Sequence, residues 1–366
     1  MAPETALRAR VTSVASPDFN EQREKTNYKN FTCTFAIKNA HEGRINCIAY
    51  VLNGTVITGG ADKMLRVWSP LDPKPLGQLE DDLAISHLVR MGKTSQQDVT
   101  LLYVASKVIR YLSIKQQKAL FLYRDDNEIT AITKINGIPG ADAVVSFGTA
   151  NGFVQDFHIK HKQIIRRAKL HRGAKVAAMV SQGNYLVSAS PANGLIVIYN
   201  YKLHQLHREF STQDQLIKSP SALHLMKGET LLAVADDRTL SIIDVEKTSV
   251  EKHTPGNTQL TRLFRLPLPD TQGGPVFAGA TSTGQLKLWS EVRLAGDGKP
   301  GHEIDPYRIE TLKVLKAGGM QGTTDEITDI AVMPNGAIVA CGADKSLSLY
   351  EEKKGSDAAC ACCTLF

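Results

Sequence analysis

No apolar run in this chain approaches the ~20 residues needed to span a bilayer. The opening MAPETALRARV lacks the apolar core of a secretion signal. Its second residue is Ala2 rather than glycine, which excludes N-myristoylation. These absences predict a cytoplasmic protein, neither secreted nor membrane-spanning, in which the sequons at Asn30 and Asn53 carry no information. No Ser/His/Asp order, glycine-rich phosphate cradle or metal-spaced His/Cys cluster occurs. No enzymatic activity, metal or cofactor is therefore expected. Long stretches of helical periodicity are also missing.

What is present is an internal repeat. Residues 45–68, INCIAYVLNGTVITGGADKMLRVW, return as 327–350, ITDIAVMPNGAIVACGADKSLSLY, with ten of 24 positions identical. The shared positions include Asn53-Gly54 with Asn335-Gly336, and Gly60-Ala61-Asp62-Lys63 with Gly342-Ala343-Asp344-Lys345. A repeat so widely separated predicts a ring or array of similar units. A turn residue followed six positions later by a large apolar one marks them: Asp62/Trp68, Ser106/Leu112, Asn151/Phe157, Asn193/Tyr199, Asp237/Ile243, Thr283/Trp289 and Asp344/Tyr350. Successive spacings are 44, 45, 42, 44, 46 and 61, the last enlarged by an insertion at 290–308. Between markers, short β-branched runs alternate with turn signals. Four strands per unit of about 44 residues make a β-propeller blade.

The set His41, Thr58, Asp62 and Trp68 in unit one resembles the WD-repeat family, in which these four form a hydrogen-bonded structural chain. Unit six keeps Trp289 without the Asp, and unit seven keeps Asp344 with Tyr350 in place of Trp. The resemblance implies an all-β fold, a single seven-bladed propeller over 31–350. Phe31–Ile37 has no strands before it and unit seven lacks a fourth, so the N-terminal strand is expected to close the ring and remove an exposed edge. Residues 1–30 are left as a flexible tail. Such a fold leaves function open and most simply implies a non-enzymatic scaffold binding other proteins through its loops, as a monomer or in a hetero-complex.

The net charge of +6 is local, not general. Residues 160–175 hold seven cations and no acid, leaving 36 Lys/Arg against 37 Asp/Glu elsewhere. Lys160, Lys162, Arg166, Arg167, Lys169, Arg172 and Lys175 form either a solvated rim strand or a surface for an acidic partner or anionic lipid. The segment has no interleaved aromatic, so nucleic acid is not expected. Within it, His171-Arg172-Gly173 resembles the Arg-Arg-Gly loop of phosphoinositide-binding propellers, although its first residue aligns with the structural His41.

Three of six cysteines lie in the closing ACACCTLF. Cys363-Thr364-Leu365-Phe366 fits a C-a-a-X box whose terminal Phe favours geranylgeranyl transfer, although Thr364 is not aliphatic. Cys362 and Cys360 are candidate palmitoylation sites, since one prenyl chain binds membrane only marginally. The polar 351–359 run serves as a flexible tether. Cys33, Cys47 and Cys341 are expected as buried apolar residues. In a WD-type blade the third strand runs from the top face to the bottom. Tyr350, the Lys160 and Lys162 loop and the insertion would then all emerge at the bottom, facing a membrane.

Overall fold

In the computed structural model, the described residues are 31–352, apart from 52–53, 70–71, 94–98, 114–117, 136–142, 211–219, 226–230, 237–238, 245–249, 254–258, 267–275, 293–307 and 317–324. Asn53, Asp237 and the 1–30 tail lie outside them, as do Cys360, Cys362 and Cys363. The described residues form seven antiparallel four-stranded sheets. Sheet I runs outward as Ile45–Tyr50, Val56–Gly60, Met64–Trp68 and Gly77–Glu80. Sheets II to VI repeat the plan from Ile85–Lys93, Ile129–Lys134, Ala178–Gln182, Pro220–Leu225 and Leu260–Arg265. Sheet VII runs Ile327–Val332, Ile338–Gly342, Leu347–Glu352, and then Phe31–Ile37 at the edge. The innermost strand of each sheet touches that of the next, and that of VII touches that of I. The result is an all-β propeller. No helix among the described residues is long and apolar enough to cross a membrane.

The seams I–II, II–III, III–IV, IV–V, VI–VII and VII–I each bury an apolar cluster, because the middle strands are apolar on both faces. Trp68, Ile45 and Val56 of sheet I pack with Val339, Leu347 and Leu349 of sheet VII. Side chains at the second position of the inner strands add hydrogen bonds across the seams. Asn46 donates to the Ile85 carbonyl, Thr130 to Val176, Ser221 to Leu260, Thr261 to Ile327 and Thr328 to Ile45, at 2.5–2.9 Å. These bonds satisfy carbonyls at inner-strand starts that water reaches poorly.

Two expected boundaries move. The third strand of sheet VI continues past Trp289 to Val292 and pairs with Arg308–Lys316, so Ser290 and Arg308 are ladder residues. The insertion contracts to 293–307, outside the described residues. Glu351 and Glu352 belong to a strand, since their backbone pairs with Thr32 and Phe31 and Thr34 donates to the Glu351 carboxylate. Cys33 is only half-buried, whereas Cys47 and Cys341 are buried as expected; all three are free thiols.

Candidate functional site

The four WD-set residues of sheet I come together in one chain of bonds. Trp68 Nε1–H donates to Thr58 Oγ1 at 2.8 Å, and Thr58 Oγ1 lies 2.7 Å from His41 Nε2. His41 Nδ1 lies 2.9 Å from Asp62 Oδ1. The donor sense is consistent throughout if neutral His41 carries its proton on Nδ1, as the carboxylate requires. Burial lowers the His41 pKa, against the pull of Asp62, which favours that neutral form. Burial would raise the pKa of Asp62, but His41 and the Glu42 and Met64 amides outweigh it and hold the carboxyl below its usual range. Arg66 Nη1 adds a 2.9 Å ion pair. A Cβ on Gly60 would overlap both Asp62 Oδ1 and His41 Nδ1. Gly342 meets Asp344 in the same way, and Lys63 and Lys345 both turn left-handed, at φ 67° and 69°. The glycine of the repeated Gly-Ala-Asp-Lys is thus a steric requirement of the turn. Every polar group in the set is engaged.

Sheet IV carries a reduced version. His171 is fully buried, and its Nε2 lies 2.8 Å from Ser188 Oγ; Asn193 donates to the His171 carbonyl rather than its ring. Burial alone pushes the His171 pKa down to about 4. Arg172, left-handed at φ 50°, sits 3.4 Å from Glu209, and Gly173 follows at φ 92°. Of this candidate lipid-binding loop, therefore, only Arg172 presents a cation to solvent.

The basic segment divides by strand alternation. Lys160 and Lys162 occupy the turn after the third strand of sheet III, and Gln163–Lys169 is its outermost strand. Arg166 faces inward. Its Nε reaches Asp156 Oδ2 at 2.5 Å, its Nη2 touches the Tyr201 hydroxyl of sheet IV, and its guanidinium lies 4.0 Å from the Tyr199 ring centre. Arg166 therefore braces two sheets and is not available to a partner. Arg167 points outward and rests over Phe153 at 4.5 Å, with Lys169 beside it at 6.0 Å. Lys175 is exposed at the end of the segment.

A feature outside the sequence reading lies on the axis. A cavity of about 200 Å³ is lined by the third residue of every inner strand, or its equivalent: Cys47, His87, Ala131, Ala178, Ala222, Arg262 and Asp329. Its polar members are neighbours around the ring, in sheets VI, VII, I and II. Asp329 accepts the Ile48 and Ile330 amides at 3.0 Å, and Arg262 Nε stands 4.0 Å away. Burial raises the Asp329 pKa to about 6 and lowers that of His87 to about 3. Burial also pushes the Cys47 thiol up, away from reactivity. No cluster of three or more potential metal ligands occurs among the described residues.

Two segments of the chain, 31–69 and 312–351, match the family model described as WD domain, G-beta repeat. They contain the edge strand with most of sheet I, and most of sheet VII, the two sheets that meet where the ring joins. No curated protein matches the chain.

Proposed function

We propose that this chain is a single seven-bladed WD-type propeller acting as a non-enzymatic protein-interaction scaffold, held at a cytosol-facing membrane by its C-terminal cysteines. The observation carrying the scaffold reading is a ring of sheets whose WD set is bonded into the fold, with repeats that match the WD domain. Such a ring offers a broad loop surface to protein partners. The seven four-stranded sheets and the pairing of Phe31–Ile37 with Leu347–Glu352 support the blade count and closure by the N-terminal strand. Residues 1–30 and 353–366 are then tails. Cys363 is the prenylation site, with Cys362 and Cys360 as palmitate acceptors supplying the second signal that stable anchoring needs.

The scaffold reading is tested by purifying the native protein from its own cells. It requires a stoichiometric partner that survives size-exclusion chromatography, and a monomer alone under all conditions would remove it. The anchor is tested separately by labelling with an isoprenoid analogue. Label on the wild type but not on Cys363→Ser is expected; equal labelling, or none on either, defeats prenylation at Cys363.

A further inference from the structure

The geometry points to the outer rim of sheets II, III and IV as a docking surface for an anionic lipid bilayer. Six large apolar side chains stand well exposed among the described residues: Leu76, Leu120, Phe121, Ile165, Leu203 and Leu206. Five of them fall on three consecutive sheets. Leu120 and Phe121 lie on the outermost strand of II, Ile165 on that of III, and Leu203 and Leu206 on the last turn and outermost strand of IV. Phe121 and Leu203 are more than half exposed, at 55% and 56%.

The charge between them is predominantly positive. The segments 118–124, KALFLYR, 160–169, KHKQIIRRAK, and 201–208, YKLHQLHR, contain no acid. Lys160, Lys162, Arg167, Lys169 and Lys202 are all exposed among these apolar tips. The outermost strand of IV continues to Glu209, which lies 3.4 Å from Arg172. Those of I, V and VI each include a glutamate, and that of VII has no charge. What sets this arc apart is that it carries five of the six exposed apolar tips together with a surplus of exposed cations. Sheets III and IV are fixed to each other there, because Tyr201 OH donates to Asp156 at 2.8 Å and Arg166 stacks on Tyr199 at 4.0 Å.

A bilayer suits this surface better than an acidic protein does. The edge of a propeller is convex and its apolar tips stand apart, separated by lysine and arginine. A lipid interface accepts isolated apolar side chains among headgroups while its phosphates meet the cations. A protein partner would need a concave face matched to each tip. This inference shares its membrane occupant with the proposed function and adds the arc that makes contact. It stands on the exposed tips and cations, and its test uses protein without the lipid anchor.

The test is flotation of unmodified full-length protein with vesicles of phosphatidylcholine and phosphatidylserine, against phosphatidylcholine alone. Binding to the anionic vesicles only, weakening with salt, is expected. Each lysine removed should cost about fivefold in partitioning, so Lys160→Gln with Lys162→Gln and Lys202→Gln should lower it about a hundredfold. Phe121→Ser with Leu203→Ser should lower it at least about tenfold. Both variants should melt like the wild type, since these side chains are exposed. Three results overturn the inference: no flotation on anionic vesicles, equal flotation on neutral ones, or binding that needs a phosphoinositide and is lost in Arg172→Ala. Failure of isoprenoid labelling would remove the anchor and leave this measurement standing.

Discussion

Replacing Trp68 by Ala tests whether the sheet I bonding chain holds the ring where its ends meet. The indole is 2% exposed and packs between sheets I and VII, against Ile45, Val56 and Val339 among others. Truncating a buried Trp to Ala costs about 3–5 kcal/mol through transfer and cavity terms. Loss of the 2.8 Å bond to Thr58 adds about 1 kcal/mol, held down because His41 still partners the hydroxyl. Unfolding entropy of about 2.1 cal/mol/K per residue over roughly 320 residues gives about 0.7 kcal/mol/K. A loss of about 4–6 kcal/mol should then lower the midpoint by roughly 6–9 °C. Trp68→Phe keeps most of the apolar area but loses the donor, and should cost about 1–3 kcal/mol. Differential scanning calorimetry of the three proteins resolves these steps. An Ala variant melting within about 1 °C of wild type would show that this residue does not brace the seam.

Gly60→Ala should destabilise by about 1–3 kcal/mol in the same assay, because a Cβ collides with Asp62 and His41; wild-type stability would refute the steric account. Arg166→Met strands the buried Asp156 and should cost about 3–5 kcal/mol in urea unfolding, whereas Arg167→Met should be nearly neutral. Equal losses would mean that the two arginines are not divided between inside and outside. His171, with its pKa lowered to about 4 against an unfolded value near 6.5, stabilises fully above about pH 6.5, and that contribution is lost as pH falls toward 4. Stability should decline by up to about 1.4 kcal/mol per pH unit in this window, and less steeply in His171→Gln. Parallel pH profiles for the two proteins would exclude this histidine as a source of the slope.

The propeller was legible because its geometry demands particular residues at fixed distances. Asp62 accepts from His41, Glu42, Met64 and Arg66, and Gly60 must yield space, so the turn leaves its signature in sequence. Marker positions such as Leu112, Phe157 and Trp289 survive as large apolar residues because each fills a third strand. The axial group was not legible for a definite reason. The ladder slips between the first and third residues of the inner strands, at Ile45/Cys47, Ile85/His87, Leu260/Arg262 and Ile327/Asp329. Period-two alternation cannot be carried through such bulges, so Arg262 and Asp329 could not be assigned to the axis. The basic run misled in a second way. Seven cations in a row of sixteen residues looked like one surface, but cross-strand pairing with Asp156 turns Arg166 into a bracing residue. The rim was missed because its apolar members sit on three strands some 40 residues apart.

The uneven survival of the repeat follows from the cost of joining a ring. Contacts between sheets VII and I bring together residues about 280 apart in sequence, so this seam carries the largest loop-closure entropy in the fold. It is also heavily bonded. Thr328 reaches the Ile45 carbonyl at 2.6 Å, Asp329 takes the Ile48 amide, Arg44 pairs with Glu326 at 2.8 Å, and the Ala40 amide reaches the Lys345 carbonyl. Seams between consecutive sheets join residues 39 to 66 apart and need less. At the junction of IV with V, the position held elsewhere by a hydroxyl or amide donor is Ala177. The repeat is therefore sharpest in the two sheets where its bonds offset the greatest entropy.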